Sequence, residues 1–303
     1  MAAPCVVWRV TDGKRGHERQ TEGLVRALAA IMPITVQEIP RLPTLRALLS
    51  LAFSRFPSSL PGAPDLILGA GHGTHLTVLA ARRTFGGRAV VLMKPTLPVR
   101  CFDLCIIPAH DGVAASDRVL VSQGALNAVQ AGDKQHDAGL ILVGGPSPHY
   151  DWAPERVMRQ VLEVVEKSPG VHWCLTTSPR TPVSMLDELH AVVQGKLDIV
   201  PFDSVDATWL PQQLEQAATV WVTPDSVSMI YEALTSGAAV GVFDLQAKRS
   251  NRIVRGVRQL QEAGQVLGYR DWLAGHDFSP AQTTFNEAAR CARWIKDSWF
   301  PDR

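Results

Sequence analysis

Six short segments hold most of the side chains able to do chemistry in this sequence: TDGKRGHERQ at 11–20, GAGHGTH at 69–75, PAHDG at 108–112, GGPSPHYDW at 144–152, TTSPRTP at 176–182 and TPDSVS at 223–228. The first three offer proton-transfer groups. Asp12 and His17 flank a turn that Gly13 and Gly16 make tight. An imidazole near its unperturbed pKa of about 6.5 suits general-base work on a hydroxyl, with a carboxylate acting directly or orienting the ring. His72, His75 and the His110–Asp111 pair are rivals for that role. The spacing His72-x-x-His75 is not that of HExxH and no third ligand is placed by sequence, so no metal is expected.

The second three look built for an anion. Asp225 or Ser226 can cap a helix whose free N–H groups and positive dipole end would receive a diphosphate. Ser226 and Ser228 add hydroxyls. Glu232, further along, either accepts hydrogen bonds from sugar or ribose hydroxyls or is a solvated helix residue. Gly144 and Gly145 leave no side chain in the way of a close backbone approach. Arg180, and Lys248 or Arg249, could neutralise charge on a leaving diphosphate.

All six segments follow short apolar runs. CVVWRV, ITVQEI, DLILGA, AVVLM and LCIIPA alternate with helices expected over about 19–30 and 74–83. The pattern restarts after the polar Gln130–Asp137 stretch with GLILVGG, VHWCLTT, TVWVT and AAVGVFD, separated by helices expected over 154–167, 184–194 and 226–236. Alternation of this kind specifies βαβ units and parallel sheets, whose ligands bind beyond the carboxyl ends of the strands. The fold class is therefore α/β, with two Rossmann-like domains, 1–136 and 137–303, facing each other across a cleft.

Composition narrows the function. In 303 residues, 46% are hydrophobic and 19% charged, the balance of a folded globular protein. Thirty Lys+Arg against 29 Asp+Glu leave a net charge of +1, which gives no global field for nucleic acid. Five cysteines without a CxxC pair, and no export signal, point to a reducing, cytoplasmic setting. A nicotinamide enzyme is disfavoured: Gly69, Gly71 and Gly73 give GxGxG rather than GxGxxG, the next strand leads to Lys94 rather than an acid, and no tyrosine is followed four residues later by lysine.

One further segment stands apart. RLPTLRALLSLAFSRFPSSLP at 41–61 combines leucines and phenylalanines with Arg41, Arg46 and Arg55 and has no acidic residue. Such a helix either lies in an anionic membrane interface or packs on its own domain. The first alternative would make the protein peripheral on the inner face of a membrane.

Taken in order, DGKRGHERQTEGL, KPTLPVRCFDLCIIPAHDG, SQGAL, LVGGPSPHYDW, TTSPRTP and VTPDSVSMIYEALTSG resemble the mitochondrial-fission Elm-type family over about residues 11–245. Its chains are similar to glycosyltransferases of the two-domain GT-B class. The resemblance implies a nucleotide-sugar donor as substrate, with no cofactor, and metal-independent transfer to a hydroxyl acceptor such as a lipid-linked envelope glycan, for example lipopolysaccharide core. The C-terminal domain would hold the donor through Gly144, Gly145, Ser147, Arg180, Asp225, Ser226, Ser228 and Glu232. The N-terminal domain would present the acceptor, with Asp12 and His17 catalytic and His72, His110 and Asp111 nearby. The other class of function it implies is a non-catalytic adaptor on the same scaffold, recruiting a protein partner such as a dynamin-related GTPase at a membrane.

Overall fold

The computed structural model describes residues 3–57, 62–192, 197–278 and 285–303. The chain divides into two compact units. Unit 1 is Met1–Ala128 with Asn286–Arg303, and unit 2 is Val129–Phe285.

Unit 1 runs β1 (Cys5–Thr11), α1 (Arg15–Ala29), β2 (Ile34–Pro40), α2 (Thr44–Phe53), β3 (Leu66–Ala70), α3 (His75–Phe85), β4 (Arg88–Leu92), β5 (Leu104–Pro108) and β6 (Val119–Ser122). All six strands pair in parallel in the order β2-β1-β3-β4-β5-β6. Both faces of the inner strands are covered, which explains why these strands read as continuous apolar runs. Val7, Leu66, Leu68 and Leu104 face one core with Leu24 and Leu28 of α1. Trp8, Ile67, Val91 and Cys105 face the other, where the Trp8 ring meets Phe85 edge-on at 4.9 Å.

Unit 2 runs β7 (Gln135–Leu142), α4 (Pro154–Lys167), β8 (His172–Thr176), α5 (Val183–Val192), β9 (Leu197–Val200), α6 (Trp209–Gln216), β10 (Ala217–Val222), α7 (Val227–Thr235), β11 (Ala239–Val242), α8 (Arg252–Glu262), β12 (Leu267–Gly268) and α9 (Tyr269–Leu273). Its sheet is also parallel, in the order β12-β11-β10-β7-β8-β9. Val157, Val161 and Val164 of α4 fill one face with Trp173 and Trp221, and Ile230 and Leu234 of α7 fill the other with Val220 and Val222.

Three expectations need correction. The division lies at Ala128/Val129, not 136/137, because the polar Gln135–Asp137 forms the exposed start of β7, paired to β10 at Gln135. Residues 286–303 rejoin unit 1 rather than ending the second domain. There α10 (Glu287–Trp299) buries Ala288, Cys291, Ala292 and Ile295, one helical stripe, in the same core as Leu24 and Leu28. The Glu287 carboxylate also accepts the Gln123 amide at 2.8 Å. Third, α1 starts at Arg15, so Gly16 is helical and only Gly13, at φ +78°, makes the turn. The last two residues of the helix expected over 184–194, and residues 58–61 of the 41–61 segment, lie outside the described residues.

Ile295 is fully buried, so Ile295→Ala should cost about 2–5 kcal/mol. Calorimetry should show the transition of unit 1 lowered and that of unit 2 unmoved, if α10 belongs where the fold places it.

Candidate functional sites in the two units

In an open parallel sheet the crevice opens where the strand order reverses, because the crossovers leaving the two adjacent strands go to opposite sides. Unit 1 reverses between β1 and β3. Asp12 follows β1, and Gly71 follows β3. His17, in the first turn of α1, points its Nδ1 at Asp12 Oδ2, 2.9 Å away. The carboxylate side chain is 3% exposed and the imidazole 18%. Asp12 Oδ1 accepts the Lys14 amide at 3.2 Å, and Glu18 Oε1 reaches back to the Gly13 amide at 3.0 Å. Burial pushes the Asp12 carboxyl upward, but the hydrogen bonds from His17 and Lys14 and their positive charges outweigh it and hold it below its ordinary 3.8. Asp12 is thus an anion that orients the ring through Nδ1.

Gly71 is what admits the ring. A Cβ there would lie 2.2 Å from His17 Cε1, and the backbone has φ +74°. Within the glycine pattern at 69–73, Gly71 is therefore a seat for an imidazole, while Gly69 makes room for Thr74 and Val78.

The rival histidines are placed elsewhere. His72 is exposed in the short helical turn His72–Thr74. His75 is a core residue, 2% exposed, edge-on to Phe102 and 3.5 Å from Thr96 Oγ1; burial, then the neighbouring His72 charge, lower its pKa from 6.5 to about 4. His110 and Asp111 sit in the turn after β5, with Nε2 4.0 Å from Oδ1.

Unit 2 reverses between β7 and β10, and again the expected segments meet there. The Gly144 amide donates to Thr223 Oγ1 at 2.8 Å and the Gly145 amide to Asp225 Oδ2 at 3.0 Å. Arg180 Nη2 lies 2.8 Å from the same oxygen, and Nη1 donates to the carbonyls of Gly145 and Pro146. Thr181 Oγ1 bonds the Val143 and Gly144 carbonyls. Lys248 Nζ reaches the Ser147 carbonyl at 3.0 Å. Four strand-end loops are laced together.

This lacing changes several assignments. Gly144 and Gly145 do not offer free amides to a ligand; their missing side chains make room for Asp225 and for the Arg180 backbone, each 2.2 Å from a would-be Cβ. Arg180 is not a free cation, because the Asp225 carboxylate matches its charge. Lys248 is likewise already donating. Asp225 does not cap α7. Ser226 takes the N-cap position without a side-chain cap bond, so the first turn of α7 keeps amides to give. Ser228 is exposed. Ser147 Oγ accepts the His149 and Tyr150 amides, leaving its proton to donate. Glu232 is 7% exposed and not a solvated residue.

Beside Pro224 lies a cavity of about 510 Å³ at the carboxyl ends of β11 and β12, walled by Tyr150, Asp244, Arg258 and Arg270. Asp244 holds Arg270 at 2.9 Å and Arg156 at 3.4 Å. Burial, then the Asp225 charge, push the Tyr150 phenol up to about 12, so it stays a donor. Among the described residues, no three His, Cys, Asp or Glu side chains are grouped to hold a metal ion.

The model of the mitochondrial fission ELM1 family matches residues 15–299. The chain belongs to that family. No curated protein matches it in sequence. Among solved structures it is similar to a protein from Listeria monocytogenes named for UDP-N-acetylglucosamine 2-epimerase, with 16% identity, 99% of this chain and 98% of that chain covered, and TM-score 0.61. It is similar also to the UDP-GlcNAc 2-epimerase of Neisseria meningitidis bound to UDP-GlcNAc (11%, 99% and 100%, 0.53) and to Acinetobacter baumannii MurG (12%, 97% and 99%, 0.51). At such identities the likeness is one of fold, and this member of the ELM1 family has the GT-B fold.

Sequence reasoning missed Thr223 and Thr181 in unit 2. Both lie within segments singled out above, but a threonine in a strand-end loop carries no mark of which loop it will bond.

Two outcomes follow. Gly71→Ala should dislodge His17 from Asp12, and the ring's NMR chemical shifts should move away from their wild-type positions while the rest of unit 1 keeps its own. His75 binds its proton at about 6.5 when unfolded and about 4 when folded, so the unfolded chain holds more protons between these values and stability must fall as pH drops through that window. Urea unfolding should show that the stability difference between wild type and His75→Gln shrinks from pH 7.5 to 4.5.

Proposed function

We propose that the chain is a metal-independent glycosyltransferase acting on a nucleoside-diphosphate sugar. Unit 2 takes the donor, with the diphosphate on the first turn of α7 and the hydroxyls of Ser147, Ser226 and Ser228, and the nucleotide in the cavity beside Pro224. Unit 1 supplies the base. His17 Nε2 takes the proton of the acceptor hydroxyl while the oxygen bonds to the anomeric carbon. The bond from that carbon to the diphosphate breaks, and the charge leaves with the diphosphate toward the α7 dipole.

The observation that carries this reading is the His17–Asp12 pair at 2.9 Å, an oriented imidazole at a switch point with a glycine cleared for it. Scaffolding alone gives no reason for that arrangement. The fold likeness to proteins that include one bound to UDP-GlcNAc supports the donor class. A second reading, a non-catalytic adaptor, draws on a different observation: the Gly144 and Gly145 amides and Arg180 are engaged within the protein.

A thermal-shift series with UDP-, GDP- and ADP-sugars separates the two. Stabilisation by one of them is expected, and none by any would favour the adaptor. His17→Ala should keep that shift while release of nucleoside diphosphate falls about 10²–10⁴-fold; unchanged release would remove His17 from the mechanism.

A further inference from the structure

Helix α2 is inside out. Its small residues Ala47 and Ser50 are buried where the helix packs on α3 and Leu51 is partly buried against the core, while its other large apolar residues face solvent. Leu45 is 70% exposed and Phe53 71%, with Leu48 and Leu49 about half exposed. A helix of a globular protein normally turns such residues inward. These four fall at helical spacings of three and four, so they form one stripe rather than scattered exceptions. An apolar patch of this kind on a folded surface marks a place that meets something less polar than water.

The charges beside the stripe identify the occupant. Between Glu38 and Asp65 the sequence has no acidic residue, while Arg41, Arg46 and Arg55 lie within it. Arg46 and Arg55 join Leu49, Phe53 and Phe56 in walling a groove of about 610 Å³. Arg83 of α3 extends the basic rim, its Nε on Ser54 Oγ at 3.0 Å. Leucine and phenylalanine with arginine at the margin and no carboxylate match an anionic lipid interface, where the apolar side chains enter the acyl boundary and the guanidinium groups meet phosphates. No helix among the described residues is long and apolar enough to cross a membrane, so the attachment is to one surface.

We propose that α2 docks the protein on anionic bilayers through Leu45, Leu48, Leu49 and Phe53, with Arg46 and Arg55 on the headgroups. This stands apart from the sugar-transfer reading, and neither depends on the other.

The test uses the full chain with sucrose-loaded vesicles of phosphatidylcholine, either alone or with about one-third phosphatidylglycerol. The wild type should sediment with the anionic vesicles only, and less so at high salt. Leu45→Ser/Leu48→Ser/Phe53→Ser and Arg46→Glu/Arg55→Glu should each weaken binding about tenfold or more, with unfolding temperatures no lower than the wild type's, since these side chains are exposed. No binding by the wild type, or equal binding by both variants, overturns the proposal. So does velocity sedimentation showing a dimer that the serine variant alone dissociates, without vesicle binding, because a second copy would then cover the stripe.

Discussion

A parallel sheet sends every strand's carboxyl end to one edge, and only where the strand order reverses do neighbouring loops part to leave a crevice. Each unit has one such reversal, between β1 and β3 and between β7 and β10. The residues with chemical potential collect at these two places because the topology leaves little other room. At the first, Asp12 and His17 come from one loop and helix start while Gly71 comes from the other. At the second, Gly144 and Gly145 meet Thr223 and Asp225. A parallel sheet with both faces covered also explains why the inner strands are mostly apolar, so most of the polar side chains gather at strand ends.

Within unit 2 the Asp225 carboxylate governs the arrangement. Its side chain is fully buried, and a buried charge must be matched. Oδ2 takes both Arg180 and the Gly145 amide, while Oδ1 has no hydrogen-bond partner. An under-satisfied buried oxygen is costly. The lacing that satisfies Oδ2 also uses groups that a ligand would otherwise engage. Unit 2 is therefore built around an internal ion pair, and the Ser147 hydroxyl proton and the first-turn amides of α7 stand outside that lacing.

Much of this was legible in the sequence. Apolar runs of four to seven residues punctuated by Gly, His, Ser and Asp located the strands and their functional ends, and Pro154 marked the start of α4. Partner choice was not legible. Arg180 and Asp225 are 45 positions apart, and nothing in TTSPRTP says that its arginine will be spent on an aspartate rather than on a ligand. Gly144 and Gly145 read as room for a substrate, yet the room is taken by protein. For α2, leucine on nearly every side hid which face is inward; only its packing by Ala47 and Ser50 against α3 decides it. The return of α10 was hidden because an amphipathic helix does not name the core it joins.

That return has a consequence for biogenesis. Unit 2 is one continuous stretch, so all its residues are present once Phe285 has been synthesised. Unit 1 begins first but lacks its stripe of Ala288, Cys291, Ala292 and Ile295 until after unit 2 has emerged. The earlier segment thus lacks the α10 cover over Leu24 and Leu28 until the whole of unit 2 has been made, the kind of exposure that invites chaperones and misassembly. Once unit 2 has folded, it acts as a compact insert that brings its two chain ends near their places, so the cost of closing that long loop is largely removed before α10 docks. The segment translated after unit 2 is then a latch, and vectorial synthesis places the completion of unit 1 after that of unit 2.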